Sequence, residues 1–165
     1  MIIIPDFLFD RIYNITPEFL QENGINSLIL DIDNTLTYDG AQDIPDAVSA
    51  WLDEIKRAGI KAAIVSNNKE ARVRPFAEVC GLTYVAQALK PKRVGFERSC
   101  AVLDASAKTI AVIGDQLVTE FEFGIRFGCS NLMVERLGWD LPWFVKLKRL
   151  LELPFMPYIR KRKKV

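Results

Sequence analysis

Three short stretches of this chain, SLILDID (27–33), IKAAIVSN (60–67) and TIAVIGD (109–115), are almost wholly apolar until they stop at polar groups. A strand buried on both faces reads as a near-continuous apolar run, whereas a half-solvated strand alternates. Between the first two runs lies PDAVSAWLDEIKRAG, which opens on Pro45, closes on Gly59 and repeats Val48, Leu52 and Ile55 at helical spacing. Buried strands alternating with amphipathic helices predict an α/β fold of three layers, a Rossmann-like parallel sheet covered on both faces. In such folds ligands gather at the carboxyl ends of the strands.

The remaining elements fill out this pattern. TPEFLQENG predicts a short helix with Thr16 as N-cap, Pro17 in the first helical position and Gly24 closing it. Helices are expected after Asn68, with Pro75 interrupting or kinking it, from Arg93 to about Leu103, and from about Val118 to Phe127. TYVAQ is a weaker strand and SNLMVE a final one, which makes a central sheet of about five strands. The segment before Thr16 is assigned no element.

Composition narrows the chemistry. The 165 residues, half of them hydrophobic, suffice for one domain with a substantial core. No apolar run approaches the roughly 20 residues that cross a bilayer, and MIII, stopped by Pro5 and Asp6, does not resemble a signal peptide. Cys80, Cys100 and Cys129 lack metal-type spacing and are expected to be buried, reduced thiols of a cytoplasmic protein. The chain has no histidine. That excludes Ser-His and Cys-His nucleophile pairs, histidine acid–base catalysis and the usual zinc sites. No arginine stands six positions after any of the three cysteines, as a cysteine phosphatase would need. Carboxylates, hydroxyls, lysine and arginine remain, in company with a hard, oxygen-seeking cation.

The strand ends supply those groups: Asp31 and Asp33, Ser66 and Asn67, and Asp115, with Lys90 following the weaker strand in ALKPK. Singly, each has a plain structural explanation. Asp33 to Thr35 would make an Asx turn, Ser66 would cap a helix, Lys90 would be solvated and Gly114–Asp115 would be an ordinary turn. Their common placement after successive strands favours one shared rim.

DIDNTLT, then VSN at a strand end, then KP, then IGD, resembles the haloacid dehalogenase superfamily of phosphatases over about Leu28 to Val134. ITPEFLQENGI, LILDIDNTL and GDQLVTE are similar to its capless subfamily IIIA, in the YqeG-like group related to phosphatidylglycerophosphate phosphatases. The resemblance implies Asp31 as nucleophile, forming an aspartyl-phosphate, and Asp33 as acid and base. It implies Ser66, Asn67 and Lys90 around the substrate phosphate. It implies Mg²⁺ held by the Asp31 carboxylate, the Asp33 backbone carbonyl and Asp115. Where the family often has a second aspartate after GD, this chain has Glu120, either an outer-shell ligand or an acid in the first turn of a helix. The intervals Asp33 to Ser66 and Ser66 to Lys90 are too short for a cap domain. An open site suits a substrate whose bulk stays outside.

Charge divides the chain into a body, 1–138, and an extension, 139–165. From Lys146 onward there are eight Lys/Arg against Glu152, while the first 145 residues hold 14 Lys/Arg against 20 Asp/Glu. Trp143, Phe144, Leu147, Leu150 and Leu151 share one helical face, with Lys146, Lys148 and Arg149 around the other. Arg160, Lys161, Arg162, Lys163 and Lys164 follow. Such a segment fits peripheral contact with the inner face of an anionic membrane, a solvated tail or, less well, nucleic acid. The resemblance, with the open site and the basic extension, implies a Mg²⁺-dependent phosphomonoesterase with phosphatidylglycerophosphate as first substrate. The alternatives are a phosphatase of a soluble or protein-bound phosphate, a receiver-like phosphoacceptor, and an RNA- or ribosome-associated binding module.

Overall fold

The apolar runs are strands of one parallel sheet in the computed structural model, which describes residues 5–116, 122–138 and the single positions 154 and 157. In chain order the elements are β1 (Phe7–Phe9), α1 (Pro17–Glu22), β2 (Ser27–Leu30), α2 (Asp46–Arg57), β3 (Lys61–Val65) and α3 (Glu70–Cys80). There follow β4 (Thr83–Val85), α4 (Arg93–Leu103), β5 (Ile110–Gly114), α5 (Glu122–Phe127) and β6 (Ser130–Val134). The strand order is β1-β6-β5-β2-β3-β4, with every pairing parallel. The helix expected from Val118 is described only from Glu122. Its earlier residues, Glu120 among them, and the extension from 139 apart from positions 154 and 157 lie outside the described residues.

Side chains of one strand alternate between two cores, as the twofold period of a strand requires. Leu28, Leu30, Ile64 and Ile113 join Leu20 of α1, Val48, Trp51, Leu52 and Ile55 of α2, and Val73, Phe76 and Ala77 of α3. Ile29, Ala63, Val65 and Val112 join Phe96 and Leu103 of α4 and Phe123 of α5 on the opposite face. Three layers result. Trp51 closes the first core by donating its indole N–H to the Ile15 carbonyl at 2.7 Å.

Two expectations are corrected. The sheet has six strands rather than five, because Phe7–Phe9 pairs with Leu132–Val134. Asp6 fixes this edge, accepting from the Asn131 N–H at 2.8 Å. The helix after Asn68 runs uninterrupted through Pro75. Pro75 lacks an N–H and costs a helix interior about 3 kcal/mol, but it faces solvent, while Val73, Phe76, Ala77 and Cys80 are buried around it. Burying those four side chains outweighs one missing backbone bond.

Other expectations hold. Thr16 accepts from the Phe19 N–H at 3.2 Å as N-cap of α1, and Gly59 follows α2 with a φ of +74°. No cap domain is inserted among the described residues: a loop and α2 separate β2 from β3, and α3 alone separates β3 from β4. None of the described helices is long and apolar enough to cross a membrane.

Candidate active site

β2 lies between β3 and β5, in the middle of the sheet. Leu30 pairs with both Ile64 and Ile113, so Asp31, Ser66 and Asp115 emerge at one end of three neighbouring strands. Asp31 keeps the ladder for one more residue, its N–H donating to the Ile113 carbonyl at 3.2 Å. The chain then curls. The N–H groups of Thr35, Leu36 and Thr37 all point to the Ile32 carbonyl at 2.9–3.2 Å, and Asn34 adopts a φ of 60°. Asparagine tolerates that left-handed conformation better than most residues. The turn presents Asp33 at the rim while Ile32 and Leu36 anchor it in the core.

Lys90 reaches the site from the sheet edge. After β4 the chain hooks over the end of β3: Ala88 donates to the Ser66 carbonyl at 3.0 Å, and Gln87 to the Asn68 carbonyl at 2.9 Å. Asn67 completes the hook, accepting from the Lys90 N–H at 2.7 Å and donating to the Lys90 carbonyl at 3.1 Å. Gln87 and Leu89 hold φ values of 46° and 57°, a costly conformation for side chains of this kind and a feature common around functional sites. The outcome is a buried ion pair, Lys90 Nζ to Asp31 Oδ1, at 2.8 Å. Ser66 is buried beside it, its hydroxyl accepting from the Asn68 N–H at 3.2 Å, which leaves the hydroxyl proton as a donor.

Asp33 has partners that the sequence did not announce. Arg72 donates to Oδ1 at 2.8 Å, the Gly40 N–H to the same oxygen at 3.1 Å, and the Asn68 amide to Oδ2 at 2.7 Å. Arg72 stands in the first turn of α3 and Asn68 in the bend that leads into it. No local pattern marks either residue, since each is defined by a contact with Asp33 that lies 35 or 39 positions away in the chain.

Asp31, Asp33, Ser66 and Lys90 thus surround one strand end, with Asp115 emerging beside them from β5. Asn67 joins them as the brace of the Lys90 main chain. Asp31 and Asp115 are buried on neighbouring strands, where like charges repel and a divalent cation would offset the repulsion. Among the described residues no group of three or more metal-ligating side chains gathers. Mg²⁺ takes one or two carboxylates and completes its shell with water and phosphate oxygens, so the Asp31 and Asp115 carboxylates would fit it. The Asp33 carbonyl would supply a further hard oxygen.

The cysteines lie apart from this chemistry. Burial pushes the Cys80 thiol up to about 11 and the Cys129 thiol up to about 12, and raises Cys100 as well. Thiols so disposed are poor nucleophiles.

A model of the haloacid dehalogenase-like hydrolases matches residues 38–128. The probable phosphatase YqeG of Bacillus subtilis (strain 168) is 31% identical over 159 residues, covering 96% of this chain and 92% of that protein. The chain belongs to the haloacid dehalogenase-like hydrolase family. It is an enzyme of the phosphatase type within it, as the YqeG-like motifs implied. Solved structures share the fold. The deoxy-D-mannose-octulosonate 8-phosphate phosphatase (YrbI) of Haemophilus influenzae, in a cobalt-bound form, superposes with a TM-score of 0.54 at 19% identity, over 76% of this chain and 75% of that one. A 3-deoxy-D-manno-octulosonate 8-phosphate phosphatase from Yersinia pestis gives 0.53 at 18% identity, over 83% and 84%.

Proposed function

We propose that this haloacid dehalogenase-like hydrolase is a Mg²⁺-dependent phosphomonoesterase that carries the phosphoryl group transiently on Asp31. The observation that carries the reading is the buried Lys90–Asp31 pair at 2.8 Å at the end of the central strand. A phosphomonoester brings up to two negative charges toward a carboxylate. At 4 Å each like-charge pair costs roughly 4 kcal/mol at an effective dielectric of 20. Lys90 offsets part of that repulsion and lies against the attacking group itself. Mg²⁺, held by Asp31, Asp115 and the Asp33 carbonyl, would supply the rest as a Lewis acid.

The chain's own residues divide the work. Asp31 attacks phosphorus while the leaving oxygen departs on the opposite side. Asp33 gives that oxygen a proton, then takes one from the water that releases phosphate. Ser66 donates a hydrogen bond from its hydroxyl to the phosphoryl group, and Lys90 places an ammonium beside it. Asn67 acts mainly through its two bonds to the Lys90 main chain.

Phosphatidylglycerophosphate is the favoured substrate. Two features support a bulky, membrane-borne ester: the lack of an inserted cap among the described residues, and the eight basic residues from Lys146 onward. The extension would hold the acidic body at the inner face of an anionic membrane. Assay of the purified protein against lipid, nucleotide and sugar phosphates, with and without Mg²⁺, tests the reading. Hydrolysis that prefers the lipid and requires the metal supports it. Phosphorylation of Asp31 without release would favour the phosphoacceptor alternative.

A further inference from the structure

The proposed chemistry uses Asp33 but leaves Arg72 without a task of its own. Arg72 stands in the first turn of α3, and its Nη2 donates to Asp33 Oδ1 at 2.8 Å. Its guanidinium carbon lies 5.5 Å from the centre of the Phe76 ring, which is fully buried in the core below. A carboxylate on one edge and a ring beneath one face fix the orientation of the planar group. The side chain still exposes 16% of its surface. Nη1, on the closed side, is buried with no hydrogen-bond partner among the described residues.

Holding Asp33 alone does not require this arrangement. The Gly40 N–H and the Asn68 amide already position that carboxylate, and a guanidinium has five N–H donors. Location decides what the surplus donors face. Lys90 contacts Asp31 on the phosphoryl side, whereas Arg72 contacts the residue that serves the leaving oxygen.

We propose that Arg72, with Asn68 beside it, forms a subsite for a second anionic group on the leaving alcohol, a carboxylate or phosphodiester within a few bonds of the scissile oxygen. The claim rests on the phosphatase reading above and narrows its substrate class. A guanidinium takes either anion through charge-assisted N–H bonds, and with Nη1 buried, Nε and the second Nη2 proton are the donors left for it. A lipid headgroup and a soluble metabolite can both offer one.

The test uses the full chain and phosphomonoesters of matched length. Glycerol 3-phosphate has a neutral leaving alcohol, 3-phosphoglycerate a carboxylate, and glycerol 3-phosphate carrying a methyl phosphodiester at its other end a phosphodiester. A lipid-borne phosphodiester in vesicles forms a further arm. Wild type should favour the anionic leaving groups in kcat/KM by about tenfold or more. Arg72→Gln should bring the ratio close to one, with Arg72→Lys, which keeps the charge but not the fork, between them. A role confined to positioning Asp33 would slow all substrates alike, so the ratio is the readout. An unchanged ratio in Arg72→Gln, or no preference in wild type, overturns the subsite. If Arg72→Gln does not fold, Arg72→Lys carries the comparison. Equal Arg72 dependence in solution and on vesicles supports the shared chemistry, and dependence confined to one arm names the source. Failure of the phosphatase reading would show separately, as no turnover of any ester. Calorimetric binding of glycerate and glycerol 3-(methyl phosphate), against glycerol, then still decides: weaker anion binding by Arg72→Gln supports the subsite, and equal binding refutes it.

Discussion

Lys90 Nζ donates to Asp31 Oδ1 at 2.8 Å, and the two side chains expose only 2% and 11% of their surface. Breaking such a pair from one side leaves the other charge buried, which typically costs 3–5 kcal/mol, about as much as a small domain can lose. Lys90→Met should therefore lower both the melting temperature and activity. Mg²⁺ should recover part of the stability, because it adds positive charge beside Asp31. Thermal melts with and without the metal check this, and a variant melting like wild type in EDTA would contradict the pairing.

Asp31→Asn removes the attacking carboxylate while keeping nearly the same shape. Turnover should vanish, and circular dichroism should still report a folded chain, though a less stable one since Lys90 loses its charge partner. EDTA should silence wild type, and Mg²⁺ should restore it. Full turnover by the amide variant or by metal-free protein would refute the mechanism.

If Asp33 transfers the proton, Asp33→Asn should lower turnover by about two to four orders of magnitude. An aryl phosphate, whose leaving group needs little protonation, should spare the first step more than hydrolysis of the intermediate. Burst kinetics separates the two steps. An unchanged steady-state rate would contradict the role given to Asp33.

How much of this was legible in the sequence depends on how local its cause is. α4 spans Arg93–Leu103 as its pattern predicts. Each strand-end acid has a plain explanation taken alone, and they were legible because several successive apolar runs stop on polar groups that a parallel sheet brings to one rim. β1 was not: Phe7–Phe9 is three residues long, and its partner Leu132–Val134 lies near the other end of the body. Arg72 escaped for a similar reason, since its partner Asp33 is 39 residues away. Pro75 misled because local propensity favours a break, and the four buried side chains of α3 override it. Asn67 reads as a ligand of the phosphate, yet the hook over β3 turns its amide onto Lys90.

Deleting residues 160–165 removes Arg160, Lys161, Arg162, Lys163 and Lys164. At around 1 kcal/mol for each basic residue near an anionic bilayer, binding to anionic vesicles should fall by more than about a hundredfold. Neutral vesicles should show little change, and added salt should imitate the truncation. Activity on a small soluble phosphate should survive. Equal co-sedimentation of both forms would leave the extension without a membrane role.

The position of Lys90 depends on a glycine outside the site. A Cβ built on Gly95, in the first turn of α4, would lie 1.9 Å from the Ala88 carbonyl oxygen and 2.9 Å from its carbon. Both are main-chain atoms, so no flexible side chain can yield. Ala88 is also fastened to Ser66, its N–H donating to that carbonyl at 3.0 Å, two residues before Lys90. Gly95→Ala must therefore push α4 away or displace the hook that carries the lysine. Overpacking of this kind costs roughly 1–3 kcal/mol, and displacing a catalytic group by about 1 Å can cost a hundredfold in rate. Gly128→Ala is the control. Its φ of +74° makes the substitution strained, but a Cβ there meets nothing within 4 Å, and it precedes β6 at the end of the sheet away from Asp31. Both variants should melt below wild type, while only Gly95→Ala should lose activity by more than its unfolded fraction explains. Melting curves paired with kcat at a temperature where both are folded make the comparison. Equal kcat in the two variants would uncouple Lys90 from the packing of α4.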